Sequence, residues 1–121
     1  MPPTKHILFV EDESDFREGL STLLELKGFR VGWASNGRQA LDYLRQGERP
    51  DLILLDLKLP DMDGWQFRRE QQHDPALAPI PVVVVSGTKD AARSAADLRA
   101  VACLEKPVGF DELVEAVRQH C

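Results

Sequence analysis

The chain has 121 residues, enough for one ordinary domain and too few for two. Apolar residues make up 43% and charged residues 29%, the balance of a globular chain, which excludes a disordered one. Fifteen Lys and Arg against twenty Asp and Glu leave a net charge of −5, which argues against unaided nucleic-acid binding and against docking on an anionic membrane.

In chain order, the first apolar run is Ile7-Leu8-Phe9-Val10, continuous and short, as in a strand buried on both faces of a parallel sheet. Phe16, Leu20, Leu23 and Leu24 then form one stripe of a helix, with Ser14 as its N-cap and Gly28 just past an end near Lys27. Phe29-Arg30-Val31-Gly32-Trp33 alternates and reads as an edge strand. Ala40, Leu41 and Leu44 mark a second helix after Asn36, stopped by Gly47. Leu52-Ile53-Leu54-Leu55 is the next buried run. Asp63-Gly64 opens a third helix with a thin apolar stripe, Trp65 and Phe67. A proline-rich loop from Pro75 to Pro81 feeds Val82-Val83-Val84-Val85. An Ala-rich helix spans Ala91 to Leu98, followed by the weaker run Val101-Ala102-Cys103-Leu104. Phe110, Leu113, Val114 and Val117 give a last amphipathic helix.

Five βα units with short connections predict an α/β fold, a doubly wound five-stranded parallel sheet in a single domain over residues 1–121, with its core at about 5–119. No apolar run approaches the roughly 20 residues of a membrane span, and the N-terminus lacks the pattern of a secretory signal. Cys103 and Cys121 make no disulfide framework, so the expectation is a reduced, cytoplasmic chain, monomeric or weakly dimeric. Met1 and a last helix running to Cys121 favour a stand-alone chain. His6, His73 and His120 are scattered singly and read as surface or strand-edge residues.

In such a sheet, ligands bind beyond the carboxyl ends of the strands. Glu11, Asp12 and Glu13 follow the first run, Asp56 the second buried run, Ser86 and Gly87 the valine run, and Glu105, Lys106 and Pro107 the last. Each piece alone has a plainer reading: a solvated helix start, a cap, a turn pair, the close of a strand. Carboxylates gathered at one sheet edge repel one another unless a cation sits among them, and hard, few, partly hydrated oxygen ligands suit Mg²⁺.

The set Glu11-Asp12, Asp56, Ser86 and Lys106-Pro107 resembles the receiver domain of two-component response regulators. So does the stretch Asp56-Leu57-Lys58-Leu59-Pro60-Asp61-Met62-Asp63-Gly64, which looks like that family's loop after the phosphoacceptor. The resemblance runs from Lys5 to about Gln119 and implies a flavodoxin-like sheet in the order 2-1-3-4-5. It implies that Asp56 takes a phosphoryl group from a phosphohistidine on a histidine kinase or histidine phosphotransfer protein. Glu11, Asp12, Asp56 and the backbone carbonyl of Lys58 would hold Mg²⁺, while Lys106 and Ser86 would each bind a phosphoryl oxygen. Gly87 would leave room beside the phosphoryl group, and the Lys106-Pro107 bond would be cis. The chain would then be a signalling switch acting on a downstream protein target, promoting its own phosphorylation and dephosphorylation without turning over an external substrate.

One position departs from the family pattern. Three residues before Lys106, where the family usually has an aromatic ring, stands Cys103. That sets apart the route of output: either the Ser86 shift on phosphorylation is smaller, or Leu98 or Val101 fills the space a ring would take, and activation stays near Ser86-Gly87-Thr88 and the start of the following helix. Two other functions compete. A small Mg²⁺-dependent phosphatase would need a cap and a second acid two residues after Asp56, where Lys58 stands. A flavin phosphate binder would need a phosphate-cradling loop where Glu11-Asp12-Glu13 would repel the anion.

Overall fold

A computed structural model describes residues 4–87 and 91–121, the side chains of residues 91 and 92 excepted; Thr88 therefore lies outside the described residues. The elements alternate along the chain: β1 (His6–Val10), α1 (Ser14–Leu26), β2 (Arg30–Ala34), α2 (Gly37–Arg45), β3 (Leu52–Leu55), α3 (Gly64–His73), β4 (Val82–Ser86), α4 (Ala91–Asp97), β5 (Ala102–Glu105) and α5 (Phe110–His120). All strands are parallel, in the order β2-β1-β3-β4-β5. This is the doubly wound sheet expected from the periodicity.

Every residue of β1, β3 and β4 is buried, because both faces of the sheet are covered. Alternation within the continuous runs divides them between two layers. Leu8, Val10, Ile53, Leu55, Val82 and Val84 pack with α2, α3 and α4. Ile7, Phe9, Leu52, Leu54, Val83 and Val85 pack with α1 and α5. A strand that feeds both layers has no polar face, which is why these runs do not alternate in hydropathy.

The helix ends follow local chemistry. Asn36 caps α2 by accepting from the Gln39 amide, and Asp63 caps α3 by accepting from the Gln66 amide. Gly28 and Gly47 follow the ends of α1 and α2 at φ of +96° and +110°, the left-handed turn that glycine adopts without strain. Ser14 is not the N-cap of α1. Glu13 holds that place, in extended backbone and without a side-chain cap bond, and its carbonyl takes the first helical bond from Arg17.

The edges and the third helix differ from the sequence reading. β2 lies one residue further along, and Trp33 is 56% exposed because it stands on the outer edge of the sheet. β5 begins at Ala102, leaving Val101 45% exposed. His6, expected at the surface or a strand edge, is buried at the start of β1, with its Nε2 at 2.5 Å from the Tyr43 hydroxyl.

The thin apolar stripe of α3 is completed by polar residues. Gln71 is fully buried, donates to the carbonyls of Leu77 and Ile80 at 3.0 Å each, and accepts from Arg68 at 2.8 Å. Gln71 thus satisfies the backbone of the proline-rich loop, a task no apolar side chain performs. Gln71→Ala should destabilise the fold by roughly 2–4 kcal/mol, since it orphans two buried carbonyls and an Arg68 N–H. Urea denaturation checks this, and a loss below about 0.5 kcal/mol, the surface-substitution range, would contradict it.

Candidate functional site

Glu11, Asp56 and Lys106 each directly follow a strand, Ser86 ends β4, and main-chain bonds extend the sheet past the strands. The Glu11 amide donates to the Ala34 carbonyl, the Asp56 amide to Val10, and the Lys106 amide to Ser86, at 2.9–3.0 Å. The ends of β2, β1 and β3 are therefore pinned level with one another, as are those of β4 and β5. The loop leaving Asp56 is pinned as well: the Gly64 amide donates to the Leu57 carbonyl at 2.9 Å. A Cβ on Gly64 would lie 2.6 Å from the Asp56 carbonyl oxygen, so glycine is what lets α3 start this close.

The side chains converge. Glu11, Asp12 and Asp56 each present a carboxylate oxygen within 4.8 Å of the others. Glu11 and Asp56 are buried, at 1% and 5% exposure, and Asp12 faces solvent. The Lys106 ammonium reaches in from β5, donating to Glu11 Oε1 at 2.6 Å and to Asp56 Oδ2 at 3.4 Å. Three carboxylates against one ammonium leave an excess of negative charge in a largely buried space.

The proton affinities follow from that crowding. Burial pushes the Glu11 carboxyl above its usual range, opposed by its hydrogen bond to Lys106 and reinforced by Asp56. Asp12, although its side chain reaches solvent, is raised by partial desolvation against its neighbours and then by Glu11. For Lys106 burial works against the charge, but its bond to Glu11 and the field of Asp56 outweigh it and hold the ammonium above its ordinary value.

The other expected residues sit as follows. Ser86 closes β4, buried at 1% exposure, its carbonyl bonded to the Lys106 amide. The Lys58 side chain is exposed, and its amide lies 3.4 Å from Asp56 Oδ1. A Cβ on Gly87 would meet Lys106 only at ordinary contact, 3.8 Å, so sterics in this state do not demand glycine there. The Lys106-Pro107 bond is cis. Cys103 is half-buried against the layer that also holds Leu98, and burial raises its thiol pKa. Val101 is 45% exposed and lies outside that layer, whereas Leu98 is buried within it.

Two contributors were not legible as site residues. Lys106 Nζ lies 4.7 Å from the centre of the Phe16 ring, so the first residue of the α1 stripe also supports the ammonium. Arg17 is buried and donates to the Glu11 carbonyl at 2.8 Å, its guanidinium stacked 4.0 Å from the centre of the Trp33 ring. The signal was there in the spacing: Arg17, Leu20 and Leu24 share the buried face of α1.

Comparison with known proteins decides the family. The sequence model of the response regulator receiver domain matches residues 7–118. The chain belongs to the response regulator receiver family. It is similar to sporulation initiation phosphotransferase F of Bacillus subtilis (strain 168), 32% identical over 114 residues that cover 94% of this chain and 91% of the relative. Its fold is similar to that of the phosphorylated cyanobacterial phytochrome response regulator RcpA, with a TM-score of 0.81 at 33% identity over 97% of this chain and 91% of the other. The Mn²⁺-bound form of response regulator Rcp1 superposes with a TM-score of 0.78 at 30% identity, over 95% and 90% of the two chains. The receiver chain spans about half the length of several other curated relatives it matches. Receivers of this family act as signalling switches in two-component systems, and among the described residues no helix is long and apolar enough to cross a membrane.

The charge imbalance makes a prediction for the metal-free receiver. A carboxyl whose folded pKa is raised holds a proton that the unfolded chain releases, so stability is lost as pH rises from the ordinary value through the raised one. For Asp12 and Glu11 that loss begins near 3.8 and 4.5. In chelator, Asp12→Asn should therefore gain on wild type as pH rises to neutrality and melt at a higher temperature there. Thermal melts across that range check it, and a variant no more stable than wild type at pH 7 would contradict the crowding.

Proposed function

We propose that residues 1–121 form one receiver domain whose Asp56 accepts a phosphoryl group from a phosphohistidine on a histidine kinase or histidine phosphotransfer protein. The observation that carries this reading is the placement of Asp56. It ends a central buried strand, with Lys106 Nζ at 3.4 Å and the oxygens of Glu11 and Asp12 beside it. An Asp56 carboxylate oxygen attacks phosphorus, a P–O bond forms, and the P–N bond to the donor imidazole breaks with its electron pair returning to the ring. Burial strips water from the nucleophile and keeps the developing charge close to fixed partners.

Lys106 is the counter-charge. Its ammonium, already held between Glu11 and Asp56 and backed by Phe16, binds one phosphoryl oxygen without being recruited from solvent. The Ser86 hydroxyl donates to another. The Arg17 guanidinium holds the Glu11 carbonyl and so fixes the acidic loop against β2.

The acidic cluster fits a divalent cation: three hard oxygen donors from Glu11, Asp12 and Asp56 lie within 4.8 Å of one another, with only one ammonium opposing them. Those three carboxylates, with the Lys58 carbonyl, would hold Mg²⁺. When bound, Mg²⁺ supplies neutralisation of the charge shared by the nucleophile and the phosphoryl oxygens.

The reading makes the chain a switch that promotes its own phosphorylation and dephosphorylation, with a downstream protein as target. A net charge of −5 supports protein contacts over direct nucleic-acid binding or a membrane surface; the reading goes with a cytoplasmic location as monomer or weak homodimer. Half-buried Cys103 stands where the family usually places a ring, so the response should concentrate near Ser86 and Gly87.

Two measurements test the site. With acetyl phosphate and Mg²⁺, wild type should gain the mass of one phosphoryl group and Asp56→Asn should gain none, at a folding cost of about 1 kcal/mol or less, because removing one of several crowded like charges offsets the lost contact. An Asn variant labelled at the wild-type rate would overturn the assignment. Millimolar Mg²⁺ should raise the thermal midpoint of wild type by linkage and leave Asp12→Ala nearly unmoved; a wild type indifferent to Mg²⁺ would contradict the metal site.

A further inference from the structure

A second polar cleft, of about 590 Å³, opens between the C-terminal half of α3 and the end of α4, lined by Arg68, Gln72, His73, Ala78, Asp97 and Arg99. It lies away from Asp56. α3 starts beside Leu57, directly after Asp56, and its far end leads through residues 74–81 to the start of β4, while Arg99 stands just before β5 begins.

Its charges are not balanced. Arg68 is buried, at 6% exposure, and burial alone presses against its charge. A guanidinium has five N–H groups. Three of Arg68's go to neutral acceptors: the Leu98 carbonyl at 2.9 Å, Gln71 Oε1 at 2.8 Å and the Arg99 carbonyl at 3.2 Å. Among the described residues, the ion pairs are those of Arg30 with Glu48 and of Lys106 with Glu11 and Asp56; neither Arg68 nor Arg99 has one, although Asp97 lines the same cleft. A buried cation with only neutral partners calls for an anion.

Arg99 adds an independent observation. It closes α4 in the left-handed conformation, at φ 56°, with its amide donating to Ala96 and the next amide to Ala95. That is the turn glycine makes without strain, so the turn itself does not account for an arginine there. The result is a second arginine in the lining of the cleft, exposed where Arg68 is buried. His73 stands beside them, its Nδ1 donating to the Arg69 carbonyl at 2.7 Å.

We propose that this cleft is a binding site for a small phosphate-bearing ligand, held by the guanidinium groups of Arg68 and Arg99. Its volume falls within the roughly 300–1,000 Å³ of small-molecule sites, and its lining of two arginines, an imidazole and an amide suits a compact oxyanion. The shared chemistry is the phosphate group, whether free or carried as a monoester.

The test is titration of the full chain at constant ionic strength with inorganic phosphate and, separately, with glycerol phosphate, following backbone and arginine side-chain NMR signals in the presence of Mg²⁺. Saturable shifts at Arg68, Gln72 and Arg99 are expected with at least one of them; tighter binding of the ester assigns an organic phosphate, equal binding assigns free phosphate, and either supports the site. Arg68 also ties α3 to α4, so the decisive variant is Arg99→Gly, which removes a cation while suiting the left-handed turn. It should melt no lower than wild type yet bind phosphate about tenfold more weakly, the loss of one charged hydrogen-bonding group. Asp97→Asn should tighten binding about threefold by removing the one opposing carboxylate of the lining. Shifts confined to the surroundings of Lys106, or an Arg99→Gly affinity equal to wild type, would overturn the proposal.

Discussion

The Lys106 ammonium, held 2.6 Å from Glu11 and 3.4 Å from Asp56, is the contact on which the site depends. Without it, two buried carboxylates and a third beside them would repel one another with no counter-charge among them. With it, the cluster is compensated only in part. That residual charge is what favours a divalent cation. The contact is also long-range: it joins the end of β5 to the ends of β1 and β3, across β4, so the site exists only when the whole sheet is assembled.

The sheet provides this through its two-sided burial. Strands with apolar residues on both faces fix register strictly, because a slip of one residue would exchange the two packing layers. Main-chain bonds then carry the register one residue past the strands, to Glu11, Asp56 and Lys106. On one side Arg17, stacked on Trp33, holds the Glu11 carbonyl. On the other, Gly64 lets α3 begin against the Asp56 backbone. The acids are placed by backbone, and their side chains have little left to choose.

What could be read from sequence follows the same physics. The runs Ile7–Val10, Leu52–Leu55 and Val82–Val85 announce buried parallel strands, and the polar residues directly after them announce the site edge. Caps were legible where a side chain makes the bond, as at Asn36, and misread at Ser14, where the backbone of Glu13 does the work. The register of β2 and the start of β5 were off by one because edge strands are buried on fewer sides. Buried polar residues were the main omission. Arg17, Arg68 and Gln71 occupy core-facing positions, but a polar residue type hides the helical stripe it completes, and its partners are backbone carbonyls that no sequence pattern displays.

The most direct test of the central claim identifies the phosphorylated atom's residue chemically. Receiver phosphorylated by a small phosphodonor in Mg²⁺ is reduced with borohydride, which converts an aspartyl phosphate to homoserine, and the digest is sequenced by mass spectrometry. The account predicts homoserine at Asp56 in wild type and its loss in Lys106→Ala under the same exposure. Homoserine at Asp12 or at any other acid, or undiminished conversion at Asp56 without the Lys106 ammonium, would contradict it.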